Sequence, residues 1–303
     1  GVVSVDGKTC TTRLATEPYA QPQRGVTLRG LVRTLTCTLV SSNAFPCLDA
    51  VPIPSDTNET GHFPVAFSDL CQYYGRDFEL VMGDAAFATA TNAALVDAND
   101  KAYAFQLKEN EPTLLADARA LLAWPGVDTI QGEAERDPSG FVARRLRITP
   151  VNTTDKNKVA WPSARQVMSI ERLRVDDKDN VLEVLGTRHF ITNLRPKRAT
   201  KAQWLTILRD RWAVENQTHG TLDIAFQEDD YPWIEEPQGM VNVFLLRRIA
   251  MNILGLFRAV TLRSDDKRRT PWGRLFVLLR DALVTATIAI LDAFRRRPSP
   301  ATQ

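Results

Sequence analysis

Two acidic residues stand where apolar, strand-like segments run out. Asp6 follows the β-branched run Val2–Val5 and precedes Gly7; Asp84 follows Phe78–Met82 and Gly83. Each run reads as a buried strand, so each carboxylate is expected at a strand end, on the edge of a sheet, where a turn begins. If the strands are neighbours, the carboxylates meet. Two hard oxygen ligands, completed by water and phosphate oxygens, suit magnesium, which seldom takes an all-protein cage. A third carboxylate from a helix packed across the strand ends would complete a site for two ions, roughly 3.5–4 Å apart, that activate the attacking oxygen and stabilise the leaving one. Phosphodiester chemistry is mostly such positioning and charge neutralisation, so it requires neither His nor Ser. Strand logic alone does not select these residues, because the chain has 36 acids and Asp before Gly is a common turn element.

The elements that must position these acids follow from periodicity. Leu31–Val40 alternates apolar and polar residues and reads as a half-buried strand, with Cys47–Ile53 as its neighbour. Pro64–Tyr74 reads as a helix, as does Thr89–Asp97, with Thr89 or Thr91 as its cap. Tyr103–Leu107 is strand-like, and Pro112–Leu122 is an amphipathic helix with Pro in its first turn. Strands followed by strand–helix alternation predict an α/β fold, a mixed sheet flanked by helices. From Val127 to Leu194 the texture changes to a mostly β insertion, with strands near Val142–Ile148, Gln166–Val175 and Val181–Thr192. After Thr200 the chain turns helical, over Lys201–Thr218, Met240–Val260 and Pro271–Arg297, and Arg295–Gln303 reads as a frayed tail. The expected organisation is therefore 1–125 as the first part of the core and 126–195 as the insertion. Residues 196–260 would return to the core with a third acid on a helix, and 261–303 would form a basic C-terminal helix and tail.

Composition bounds the class. The 303 residues are 44% hydrophobic and 24% charged, which fits a globular chain with ample core. Charges interrupt the apolar stretches, so no membrane span is expected, and a cytoplasmic location is. Cys10, Cys37, Cys47 and Cys71 show no CxxC spacing, which argues against a zinc site and for reduced, packed thiols. Net charge is +2 but uneven. From Val241 to Gln303 there are 12 Lys or Arg against 4 Asp, an excess that suits a polyanionic partner, although a charge run also suits a solvated face. From Trp212 to Leu246 there are 7 acids and no Lys or Arg, a block that calls for cations from elsewhere. The chain opens GVVSVDGK, without Met and inside an apolar run, so an upstream segment is expected.

Several blocks occur in a telling order: VDGK at Asp6, PIPSDTNE ending at Glu59, GDAAF at Asp84, and FQLKENEPTLL at Phe105–Leu115. ARRLRI at Ala143–Ile148, RDRWAVENQTHGTLDIAFQED at Arg209–Asp229 and NVFLLRRIAMNIL at Asn242–Leu254 follow. From Val5 to about Leu256 this order resembles the DDE transposases of bacterial insertion sequences, in particular the branch with the H-repeat-associated proteins. The resemblance implies an RNase H-like core with a β insertion before the last catalytic helix, and an acidic triad of Asp6, Asp84 and Glu215. It implies two Mg²⁺ or Mn²⁺ ions, double-stranded DNA as partner (element ends and target), and a homodimer assembled on that DNA. The implied activity is hydrolysis at element ends, then attack of the freed 3′-hydroxyl on target DNA. Departures cluster around Glu215. Arg211-Trp212 stands where relatives often carry His-Trp, Thr218-His219-Gly220 where they often carry Leu-His-Trp, and Leu208 and Leu222 where a broader pattern has Tyr and Lys. Two other readings therefore stay open: a decayed remnant that only binds DNA or acts as a scaffold, and a structure-selective nuclease without strand transfer.

Supporting residues carry paired expectations. Lys108 and Asn110 lie near the site by resemblance, Lys108 on a phosphate or simply in a solvated turn. Arg211 would hold a phosphate or pair along the helix with Glu215, four residues on. Arg144, Arg145 and Arg147 would form a phosphate-contacting stripe or an exposed strand face. His219 reads as structural rather than ligating. Asp223 is a candidate for support behind the site, while Glu228 and Asp229 read as a solvated acidic loop. Trp161 could stack on a base, with core packing as the alternative, and core packing is preferred for Trp212. Asn58 and Glu59 belong to a recurring block, and a loop near the site is the expectation for them.

Overall fold

The first strand sets the architecture. In the computed structural model, which describes residues 1–12, 19–22, 30–138, 140–151, 159, 161, 163–231, 233–262 and 270–295, β1 (Val2–Thr12) pairs antiparallel with β3 (Gly30–Leu39). On its other side it pairs parallel with β5 (Leu80–Gly83). Beyond β3 lies β4 (Cys47–Ile53), and the short β2 (Ala20–Pro22) also pairs with β3. Beyond β5 lies β6 (Ala102–Leu107), again parallel. The order β4-β3-β1-β5-β6, antiparallel on one side of β1 and parallel on the other, is the RNase H-like arrangement.

The β insertion extends this sheet. β11 (Val181–Thr192) pairs antiparallel with β6, and β10 (Gln166–Val175), β9 (Gly140–Pro150) and β7 (Asp128–Gln131) continue outward, with β8 (Glu135–Asp137) beside β9. The described residues thus form one 11-stranded mixed sheet.

Helices cover both faces. On one face α1 (Glu59–Tyr74), α2 (Ala90–Ala98) and α3 (Pro112–Ala123) pack over a cluster that includes Val3, Val5, Phe63, Phe67, Phe105 and Leu115. On the other, α4 (Lys201–Asp210) seats Trp204 and Leu208 on Met82, Ala104, Leu146 and Phe190. Burying a large apolar side chain of this kind contributes about 1.5–3 kcal/mol. A Thr200–Gln203 capping box starts α4. Downstream come the short α5 (Gly220–Ile224), then α6 (Pro237–Val260) against β3 and β4, and α7 (Trp272–Arg295) against α6. By length and composition α6 could cross a membrane, but half of it is buried in the fold. Arg248 pins it to Glu228, and Asn252 exchanges hydrogen bonds with the Cys47 main chain at 2.8 and 2.7 Å, as befits a core helix.

Three expectations change. β1 does not end at Asp6-Gly7: its pairing runs through Asp6↔Thr36 and Gly7↔Leu35 to Thr12, so Asp6 is a mid-strand residue. α1 begins at Glu59 rather than Pro64, because Asn58 Oδ1 accepts from the Gly61 N–H at 2.8 Å and caps the helix five residues earlier. The helix expected over Lys201–Thr218 changes winding after Asp210 into a wide π turn, Val214–His219, that leads into α5. The frayed tail lies outside the described residues from 296 on.

Candidate active site

Staggered strand lengths create the site. β5 ends where Gly83 meets Val5, so Asp6 is the first residue of β1 beyond that neighbour. Asp84 leaves β5 at the same level. Its carboxylate accepts from the Ala86 N–H at 2.8 Å and caps a single 3₁₀ turn, Ala85–Phe87. That turn is held from two sides: Asn110 Nδ2 donates to Ala85 O at 2.7 Å, and Thr60 Oγ1 donates to Ala86 O at 2.9 Å. Asn110 therefore holds the backbone that carries Asp84.

Glu215 arrives on the π turn, whose wide winding is closed by the Gly220 N–H donating to Glu215 O. Such turns are rare and concentrate at functional sites. Side chains of one face of β1 hold this segment. Ser4 Oγ donates to Arg211 O at 3.0 Å, Lys8 Nζ lies 2.5 Å from Asp223 and 3.1 Å from Asp229, and Thr12 Oγ1 donates to Glu235 O at 2.6 Å. Alternation along a strand puts Ser4, Asp6, Lys8 and Thr12 on that common face. From β3, the Thr38 hydroxyl lies 3.1 Å from that of Thr218.

The three acids expected from sequence thus come from separate segments into mutual electrostatic reach. Burial pushes the Asp6 carboxyl up to about 7, and the charges of Glu215, Asp84 and Glu59 push the same way while Arg211 opposes them. Arg211 is 2% exposed. Its Nη2 is 3.5 Å from Glu215 Oε1, and Asp6 and Asp84 lie within its field. The phosphate contact expected of Arg211 is not on the surface; the guanidinium is an internal counter-charge, with Nε and Nη1 lacking hydrogen-bond partners. His219 is buried with Nδ1 3.4 Å from Asp6 Oδ2, and burial drives its pKa down to about 3, so the ring is neutral.

Among the described residues, no three His, Cys, Asp or Glu side chains close on one point as a formed metal cage would. The donor set nevertheless fits a hard divalent cation that takes one or two carboxylates and fills its remaining positions with water and phosphate oxygens. The fit is supported by the like charges of Glu215, Asp84 and Glu59 acting on Asp6, with Arg211 the cation that opposes them.

Two clefts lead away from the acids and share Arg188. One, of about 660 Å³, is lined by Asp84, Lys108, Asn110, Arg119, Arg188 and His189 among others. The other, of about 600 Å³, includes Arg144, Arg172, Arg188, Arg209, Trp212 and Glu215. Arg188 was missed in the sequence. Its guanidinium stacks 4.0 Å from the Trp212 ring, with Arg211 at 4.4 Å from the same ring. Trp212 is thereby a partly buried platform for two cations, although it also packs on the α4 cluster.

Other expectations fall out differently. Arg144 pairs with Glu135 at 3.0 Å and Arg145 with Glu171 at 2.6 Å. Successive strand residues face opposite sides, so Arg144 and Arg145 are no single stripe. Glu228 is no solvated loop residue: it is 1% exposed and paired with Arg248 at 3.1 Å. Asp229 and Asp223 share Lys8, two residues from Asp6, so the acidic block finds its cations on β1 and α6. Trp161 is packed in the core and donates to Tyr103 Oη at 3.1 Å. Glu59, left without a role in the sequence, belongs to the acid group.

No protein-family model matches the chain, and no curated protein does. Among solved structures, a piggyBac transposase synaptic complex with hairpin DNA is similar over 99% of this chain and 55% of that one, at 8% identity and a TM-score of 0.45. This chain therefore spans about half the length of that transposase. The NurA nuclease from Sulfolobus solfataricus is similar over 69% of this chain and 72% of that one, at 11% identity and a TM-score of 0.26. Both similarities are too low to bear on function, and the strand order carries the fold.

Proposed function

We propose that this chain is the catalytic core of a DNA transposase, a phosphodiester-cleaving and strand-transferring enzyme that uses Mg²⁺ or Mn²⁺ held by Asp6, Asp84 and Glu215. The observation behind this reading is the convergence of three acids from β1, the end of β5 and the π turn, each within the electrostatic field acting on Asp6 or Arg211. The ordered sequence blocks add DNA and strand transfer to it.

Bound divalent ions would supply activation of the attacking oxygen and stabilisation of the leaving one. The chain's own groups do the rest. Arg211, buried beside the acids, offsets their repulsion. Asn110 and Thr60 fix the Asp84 turn, while Thr38 holds the π turn and Ser4 the Arg211 main chain ahead of it, so the carboxylates are set before substrate arrives. Arg188, Lys108, Arg144 and Arg209 give the two clefts the positive lining that a sugar–phosphate backbone requires.

The test is cleavage of duplex DNA with Mn²⁺ or Mg²⁺ by wild type, D6N, D84N and E215Q, followed by joining of pre-cut 3′-hydroxyl ends to a target plasmid. Cleavage and joining lost in all three variants is the expected result. Cleavage without joining would leave a nuclease, and a wild type inert with every ion would leave the decayed, DNA-binding remnant favoured by the departures around Glu215.

A further inference from the structure

Gly7 sits in β1 at a position where a side chain would collide with a carboxylate. A Cβ built there would stand 2.0 Å from Glu59 Oε1 and 2.1 Å from its Cδ. Glycine weakens a strand interior, and in that setting it marks a close approach by another group. The approaching group is the first helical residue of α1. α1 is anchored by the Asn58 cap and by Thr60 on Ala86 O, which fixes the backbone from which Glu59 reaches Gly7. Its half-buried carboxylate has no hydrogen bond or ion pair among the described residues. Asp84 is the like charge acting on it, and Arg33 the cation opposing that charge.

A carboxylate in a first helical turn is favoured by the helix dipole, but that does not explain its seat over the residue next to Asp6. Gly7 faces the α1 side of the sheet and Asp6 the π-turn side. Glu59 and Glu215 therefore approach the strand end from opposite faces, with Asp6 and Asp84 between them. Arg211, 2% exposed, and His219, 8% exposed, each keep a guanidinium or ring nitrogen unpartnered on the π-turn side, beside Asp6. Glu59 and Asp84 thus form a pair of like charges with no cation bonded to Glu59 among the described residues, next to the acids on which Arg211 acts, a setting that suits a divalent ion completed by water and phosphate oxygens.

We propose that Glu59 is a fourth carboxylate of the cation site, gripping a divalent ion with Asp84 from the α1 face, and that residue 7 is glycine to give it room. This rests on the divalent-cation reading above and adds a ligand to it. The test is calorimetric titration of metal-free wild type, E59Q, G7A and D84N with MnCl₂, with bound Mn²⁺ counted by electron paramagnetic resonance. Gln preserves the volume and helix propensity of Glu59, so E59Q keeps the fold. E59Q is expected to lose about tenfold or more in Mn²⁺ affinity, or one bound ion. G7A, with Glu59 still present but displaced, is expected to follow it. The metal-free melting temperature of E59Q should equal or exceed that of wild type, because a repulsion is removed. E59Q binding Mn²⁺ as wild type does, while D84N does not, overturns the role of Glu59 and leaves the site standing. Failure of wild type to bind Mn²⁺ at all overturns both.

Discussion

The imidazole Nδ1 of His219 stands 3.4 Å from Oδ2 of Asp6, and burial pushes the two groups in opposite directions. Folded Asp6 holds its proton up to about pH 7 against 3.8 in its ordinary state, whereas folded His219 stays neutral down to about 3 against 6.5. Each is held in its uncharged form by a cost on the charged one.

The consequence for stability has a definite sign. Asp6 destabilises the fold above pH 7, by at most about 4 kcal/mol, and that penalty fades as pH falls from 7 to 4. His219 works the other way: its stabilising contribution is complete above pH 6.5 and is lost as pH falls toward 3. Metal-free D6N should therefore be more stable than wild type at pH 8 and lose that advantage by pH 4. H219Q should gain on wild type as the solution is acidified. Urea denaturation in EDTA at both pH values measures this, and a D6N protein no more stable than wild type at pH 8 would falsify the environment assigned to Asp6.

The Arg248–Glu228 pair, 3% and 0% exposed in its side chains, ties α6 to the segment after α5. Removing one partner leaves a buried charge, so R248M should cost about 3–5 kcal/mol. R248M/E228Q should recover a large part of that loss. A double-mutant cycle by chemical denaturation reads the coupling, and additive single losses would mean that the pair does not interact.

Trp204 fills the centre of the α4 face, and its Nε1–H has no hydrogen-bond partner. W204A should cost about 3–5 kcal/mol through lost burial and a cavity. W204F keeps most of the volume and removes the orphan donor, so its loss in thermal unfolding should be much smaller. Equal losses would show that the indole nitrogen is satisfied.

Arg188 borders both clefts and stacks on Trp212. R188A should weaken duplex binding and lower the slope of log affinity against log salt by about 1, while Mn²⁺ binding stays unchanged. Fluorescence anisotropy across a salt series checks it; an unaltered slope would remove Arg188 from the DNA path.

The strands and the helix order are legible because they leave local marks, such as alternation in Leu31–Val40 and Pro at the start of α3; Asp6 and Asp84 stand out only as acids beside apolar runs, and Glu215 comes from the resemblance alone. Gly7 misled because a glycine after an acid resembles a turn; its cause, a carboxylate arriving from residue 59, lies outside any local window. Pro64 drew the start of α1 too late, although Thr57-Asn58-Glu59 carries the cap and first-turn acid that would have placed Glu59 on the helix. Nothing in Val214–His219 announces a π turn. The burial of Glu228 depends on Arg248, 20 residues away, and hence on tertiary packing rather than on pattern.

The face of β1 that bears Asp6 also has a bearing on how the chain acquires its native state. Ser4, Lys8 and Thr12 find their partners 207, 215 and 223 positions downstream. Contacts so remote slow folding, since a long loop must close before they form. During synthesis the strand leaves the ribosome long before the residues that complete it. A ribosome-bound chain stopped before residue 211 would carry β1 with none of these partners in place.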